Sequence, residues 1–260
     1  MVDRRSKSTP KPTISPWIPR RKERRLVSLS QRQRVSPQKA KPREVPAADK
    51  KGSADRNKAS QQDALRRYMT RGYKSTKSKT LFSDIVVLEV ASGFGEAISY
   101  FANCHPDVIF APTDPQQPCL ERLRDVAKSH ENLMDPMELN IFRPSQWDRI
   151  AKTGGPYDGI LCFNLIHLIP WNGTFTLLKY ASQLLEEERG FFALHGPFLR
   201  EGTFMSLSDR DFDEDIKSRD EEWGLRDLET VIRIAGDYQF RKEEIREMRA
   251  GNWLLILRRQ

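Results

Sequence analysis

Ile85-Val86-Val87-Leu88-Glu89-Val90 is a run of apolar, mostly β-branched residues that stops at Ala91-Ser92-Gly93-Phe94-Gly95. A continuous apolar run, as opposed to an alternating one, marks a strand covered on both faces inside a parallel sheet. The next apolar positions, Ala97, Ile98, Phe101 and Ala102, recur at helical spacing, so the two glycines lie at a strand-to-helix turn. A chain that opens its core this way is committed to alternating strands and helices.

The alternation continues to the end. A helix is expected near 62–70 before this strand. After it come a strand over 108–111, a helix over 116–128, a strand over 137–141, a short helix over 144–151, a strand over 157–163, a helix over 175–185 and a strand over 191–194. Residues 200–223 read as a long polar insertion carrying a short helix; another helix covers 226–235, and 243–248 with 253–257 close as a hairpin-like pair. The expected class is therefore α/β: a doubly wound, mostly parallel seven-stranded sheet, helices on both faces, and an antiparallel edge strand. Such sheets bind ligands beyond the carboxyl ends of their strands, which points to the residues after Val90, Ala111, Ile141, Phe163 and Leu194.

Charge divides the chain in two. Residues 1–52 hold 16 of the 44 Lys and Arg but only 4 of the 36 Asp and Glu, a net of +12, which leaves −4 for the remainder. The first segment, rich in Lys, Arg, Ser, Pro and Gln with Trp17 as its one aromatic residue, cannot bury enough apolar surface to offset the entropy of ordering, so a disordered basic tail over 1–52 and one folded domain over 53–260 are expected. Arg20-Arg21-Lys22 and Arg24-Arg25 suit nuclear addressing, nucleic-acid phosphates or an acidic membrane surface. Asp3, Glu23 and the prolines argue against an amphipathic mitochondrial presequence. No window has the ~20 consecutive apolar residues of a membrane span and no secretory core is visible, so a soluble protein of the cytoplasm or nucleus is expected. Three cysteines without CxxC spacing suggest neither a disulfide framework nor a metal site.

Gly93 and Gly95 let backbone approach a ligand closely, because no Cβ intervenes and positive φ is open to them. The dinucleotide fingerprint GxGxxG fails, since Ile98 stands at its third glycine, and a nicotinamide cofactor is disfavoured. Two acids sharpen the alternative: Glu89 just before the turn, and Asp114 about 20 residues past the glycines, where a carboxylate can accept both ribose hydroxyls. Glu89 to Gly95 is similar to the first motif of class I methyltransferases, with Ala91 at a usual glycine. That resemblance implies a Rossmann-like methyltransferase fold, with S-adenosyl-L-methionine held by Glu89, Ala91, Ser92, Gly93, Gly95 and Asp114 and, after the third and fourth strands, by Asn140, Ile141 and Phe163.

A longer series of motifs resembles the methyltransferase-like 26 family: Ala54-Asp55-Arg56-Asn57-Lys58, the turn itself, Pro112-Thr113-Asp114, Asn164-Leu165-Ile166-His167-Leu168-Ile169-Pro170-Trp171, His195-Gly196-Pro197-Phe198, Ser208-Asp209, Phe212-Asp213 and Arg219-Asp220 with Trp223-Gly224-Leu225-Arg226-Asp227. The chain departs from that pattern at Asn140 for Asp, His195 for Tyr, Asp209 for Asn, and over 249–252. In the resembled family, which has no assigned acceptor, the segment with Arg56 and Asn57 precedes the core. It is expected here to fold over the cofactor mouth and bind the cofactor, Arg56 through the cofactor's carboxylate; the acceptor itself is expected to be a small molecule. His167, at the end of the fourth strand, is the candidate base if the acceptor must lose a proton, with Asn164 beside it to orient acceptor or cofactor. A non-catalytic interaction protein of the same fold, and an RNA or protein methyltransferase recruited through the basic tail, are the alternatives; the −4 charge of the folded part restricts any nucleic-acid contact to the tail. The acidic run from Asp209 to Asp215 imitates a calcium loop but has Glu214 where the sharp turn demands Gly.

Overall fold

A computed structural model describes residues 53–70 and 85–260. The basic segment, and the expectation that it is a disordered tail, lie outside the described residues. The first strand, β1 (Ile85–Val90), is buried along its whole length and pairs in parallel with β2 (Val108–Asp114) on one side and β4 (Gly159–Phe163) on the other. The remaining strands are β3 (Met137–Glu138), β5 (Phe191–Leu199), β6 (Arg226–Asp227), β7 (Phe240–Glu247) and β8 (Asn252–Arg259). They stand in the order β3-β2-β1-β4-β5-β8-β7, with β6 paired to the far end of β5. The sheet thus has one short strand more than the seven expected. Edge strand β7 pairs antiparallel, as expected, but the strand that runs against all the others is its neighbour β8, which lies between β5 and β7.

Helices cover both faces. Alternate residues of β1 divide between them: Val86, Leu88 and Val90 pack with α4 (Pro144–Gly154), α5 (Trp171–Leu184) and α7 (Leu228–Asp237). Ile85 and Val87 pack with α1 (Ser53–Leu65) and α2 (Glu96–Cys104), helped by Leu123 of α3 (Gln117–Ala127). Glu89 shares the parity of Ile85 and Val87, so the pleat directs its carboxylate toward the α1 and α2 face.

Among the boundaries that differ from expectation, four have a clear physical reason. Helix α1 begins at Ser53 and continues as a 3-10 turn over Arg66–Met69. Its inward face, Asn57, Gln61, Ala64, Leu65 and Tyr68, has helical spacing but starts with two amides, so an apolar count finds only the end. Strand β3 stops at Glu138, short of Ile141, because Asn140 turns the chain: its Oδ1 accepts from the Phe142 N–H (3.0 Å) and its carbonyl from the Arg143 N–H (2.9 Å). Strand β5 runs five residues past Leu194, since the pairing of His195, Gly196 and Pro197 with β8 carries extended structure through residues that normally break it. The helix of the polar insertion, α6 (Leu207–Arg219), is a full 13 residues, capped by Ser206, whose Oγ accepts from the Asp209 N–H (3.1 Å). Among the described residues no helix is long and apolar enough to cross a membrane.

Candidate functional site

Ala91, Gly93 and Gly95 all take left-handed φ, at 59°, 58° and 90°. This coils the chain between β1 and α2 into an open turn. At Gly95 a Cβ would also meet Leu123 Cδ2 at 3.0 Å, so packing and dihedral both select glycine there. The turn is fastened to the end of β2. Ser92 N–H donates to the Thr113 carbonyl (2.8 Å), Thr113 N–H to Ser92 Oγ (3.2 Å), and Thr113 Oγ1 to the Glu89 carbonyl (2.8 Å). Asp114 Oδ2 accepts from the Gly93 N–H (3.0 Å) and Oδ1 from the Gln116 N–H (2.9 Å). Burial raises the Asp114 carboxyl above its ordinary range, with these two amides acting against the rise.

Above the turn lies a pocket of about 270 Å³ whose walls include Glu89, Ser92, Gly93, Phe163 and Asn164, with Ala54 and Gln61 contributed by α1. Glu89 Oε2 and both amide heteroatoms of Gln61 are buried here without a hydrogen-bond partner among the described residues. Burial pushes the Glu89 carboxyl up to about 7 against a hydrogen bond from Ser92, and the charges of Asp114 and Glu96 add to the rise. A buried group left unmatched costs on the order of 1–3 kcal/mol. Three such atoms in one concavity describe a surface waiting for polar partners: an acceptor for an ammonium or hydroxyl, and an amide able both to give and to receive.

A second pocket, of about 690 Å³, adjoins at Asn164, which lines both. Its walls come from α1 (Arg56, Asn57), the 3-10 turn after β4 (His167, Leu168), β5 (Pro197), α6 (Asp209, Phe212, Ile216) and the turn between β7 and β8 (Arg249, Asn252). Asn164 has φ 53°, and the Cβ-free Gly196 leaves room for its Oδ1 and for the His167 ring, which would lie 3.6 and 3.4 Å from a Cβ there. The His167 turn is gripped from outside. Gly224 N–H donates to the His167 carbonyl (3.0 Å), Arg226 Nε to the Ile166 carbonyl (3.1 Å) and Arg226 Nη2 to the Ile169 carbonyl, while the guanidinium lies over Trp171. Asp213 in turn accepts from the Leu225 N–H (2.7 Å) and pairs with Lys217 (2.5 Å). Phe212 meets the imidazole edge-on, so that Phe212-Asp213 and Gly224-Leu225-Arg226 together brace the His167 turn. Burial, reinforced by the Arg226 charge, lowers the His167 imidazole to about 4. His195, buried beside it on β5, is likewise lowered to about 4, by burial and then by His167.

The structure therefore gathers Glu89, Ala91, Ser92, Gly93, Phe163 and Asn164 around one pocket, with Asp114 bonded to its rim, and Arg56, Asn57, Asn164 and His167 around the other. Arg56 and Asn57 thus face the larger pocket, while their helix reaches the smaller one through Ala54 and Gln61. Gly95, Asn140 and Ile141 line neither: Gly95 lies against Leu123 and Val126 behind the turn, Asn140 is engaged in its own turn, and Ile141 is buried with its carbonyl accepting from Trp147 Nε1 (2.8 Å). Sequence reasoning passed over Gln61, because it preceded the expected helix, and Asp209, Phe212 and Arg249 as site residues. The acidic run around Asp209 was visible, but no local pattern says which of its members faces a cavity.

A family model, that of the protein of unknown function DUF938, matches residues 49–259. The chain belongs to that family. Among solved structures it is similar to an O-methyltransferase family protein from Burkholderia thailandensis (TM-score 0.60, 14% identity, 78% of this chain and 57% of that one). It is similar also to an O-methyltransferase family 2 protein from Planctomyces limnophilus in complex with apigenin (0.57, 17%, 80% and 62%). A third is the calicheamicin-biosynthesis methyltransferase CalO1 in its SAH-bound form (0.53, 10%, 78% and 55%). The chain spans little more than half the length of these proteins, and at such identities the likeness is one of fold: a Rossmann-like methyltransferase architecture.

Proposed function

We propose that the protein is an S-adenosyl-L-methionine-dependent methyltransferase acting on a small molecule. The observation that carries the reading is the set of partnerless buried polar atoms, Glu89 Oε2 and the Gln61 amide, facing a pocket built on a left-handed glycine turn. These residues fit the cofactor's amino-acid end, and Asp114, with lone pairs remaining beyond its two amide bonds, fits its ribose hydroxyls. When bound, the cofactor supplies an activated methyl group on a sulfonium, so the protein mainly has to hold an acceptor in line. Asn164, common to both pockets, is suited to that alignment. His167, neutral at pH 7, is free to take up an acceptor proton or to hold it in a hydrogen bond; with its imidazole held at about 4 it is a weak base, matched to a proton that leaves as the new bond forms. A cavity of about 690 Å³ is of small-molecule size. More finely, the run of motifs from Ala54 to Asp227 places the chain, in our reading, with the methyltransferase-like 26 proteins.

Calorimetry on the full chain tests this. S-adenosylmethionine and its demethylated product should bind in the micromolar range and NAD should not. Silence toward both at millimolar concentration, or binding of NAD alone, removes the reading.

A further inference from the structure

Asp209 lies in the first turn of α6, only 8% exposed, on the wall of the larger pocket, and its Oδ2 has no hydrogen-bond partner among the described residues. The backbone beside it is shaped around the carboxylate. Gly251, at φ 71°, is the residue of the β7–β8 turn that faces it, and a Cβ there would come within 3.2 Å of Oδ1. Asn252, which opens β8, does not serve it: its Nδ2 donates to the Arg249 carbonyl (3.0 Å) and approaches that of Ala250 (3.5 Å). A buried carboxylate oxygen left without a donor is costly, and a ligand that brings a donor recovers that cost. The same wall carries Arg249, in the turn that faces Asp209, beside Arg56 and Arg219, of which Arg219 is paired with Asp215. Leu168, Phe212 and Ile216 make it apolar between these poles.

We infer that Asp209 sets acceptor choice: the acceptor is a small carboxylic acid with an apolar body, its carboxylate toward Arg249 and a hydroxyl or amino hydrogen donated to Asp209. The inference rests on the larger pocket being the acceptor site. Asp209 does not react; it selects and orients.

Titrations of the full chain with 3-hydroxybenzoate and 3-methoxybenzoate, which differ by the donor alone, test it. Wild type should bind the hydroxy acid about tenfold more tightly, the worth of one hydrogen bond to a charged group. In Asp209→Ala the gap should close to less than about threefold, whereas Arg249→Ala should weaken both acids together and leave the gap in place. A gap unchanged in Asp209→Ala overturns the inference and leaves Asp209 a helix-terminus residue; so does failure of both acids to bind at millimolar concentration. Parallel titration with S-adenosylhomocysteine separates the two readings. Its binding without donor discrimination removes this inference alone, and discrimination without its binding removes the methyltransferase reading alone.

Discussion

The smaller pocket rests on contiguous chain, from Glu89 to Ala97, fastened to one neighbouring strand end through Ser92, Thr113 and Asp114. The larger one has no such floor. It is assembled from side chains of α1, β5, α6, the His167 turn and the β7–β8 turn, which meet only when the sheet is complete. One pocket is therefore floored by backbone dihedrals, with the Glu89 carboxylate and the Gln61 amide on its walls and Asp114 bonded to its rim; the other is shaped by side chains that single substitutions can exchange.

The comparison breaks most readily at Asp114. Asp114→Ala removes both the rim carboxylate and the anchor of the Gly93 amide, and should lower S-adenosylhomocysteine affinity by about 100-fold in calorimetry, the worth of a charge-assisted contact with its support. His167→Ala, across the boundary, should change that affinity by less than about threefold. Equal losses in the two variants would mean that the pockets are not separate in function.

Next in size is the pH response of Glu89. Its folded value of about 7 lies above the ordinary 4.5, so its contribution to stability is fully present below pH 4.5 and is lost as pH rises through 7. The loss amounts to at most roughly 3 kcal/mol. Ligand binding should run the other way, because an ammonium or hydroxyl donor favours the ionised carboxylate: affinity for S-adenosylhomocysteine should rise about tenfold between pH 6 and 8 and stay flat in Glu89→Gln. A parallel slope in the variant would assign the titration elsewhere.

The larger pocket should show the opposite sign. His167 and His195 are lowered from 6.5 to about 4, so the stability they contribute is complete above pH 6.5 and is lost as pH falls toward 4. His195→Phe, which removes two ring nitrogens without a partner among the described residues and keeps an aromatic edge against Phe163, should make thermal denaturation less sensitive to acid over that window, by about 3 °C for each kcal/mol recovered. An unchanged acid slope would place the sensitivity with other groups.

The smallest effect is expected at Gln61. Gln61→Ala removes an amide with no partner among the described residues, so the melting temperature should hold or rise slightly while S-adenosylhomocysteine affinity falls by about tenfold. A fall in melting temperature with affinity intact would make Gln61 a packing residue.

How far each pocket could be read beforehand follows from the same contrast. The strand Ile85–Val90, its left-handed turn and the acid ending β2 are short-range features: dihedral preference, apolar run and spacing are properties of neighbouring residues, and they prescribe the strand, the bend and the parallel sheet without knowledge of the rest. Asn140 marks the limit even there, because an Asx turn and a strand end compete for the same residue and the hydrogen bond to Phe142 decides between them only in the folded chain. Helix α1 was half hidden, since Asn57 and Gln61 occupy the inward positions where a periodicity argument looks for apolar side chains.

By itself, then, the amino-acid order determined the alternating architecture, the glycine bend and the acids on either side of it, because those depend on contacts between residues close along the chain. Tertiary structure decided that β8 would enter between β5 and β7, that Gln61 would look into the smaller pocket, and that Asp209 would face Gly251 across the larger. Those outcomes depend on which distant segments compete to cover the same sheet edge and the same buried surface, a choice settled by packing of the whole molecule and not by any window of sequence.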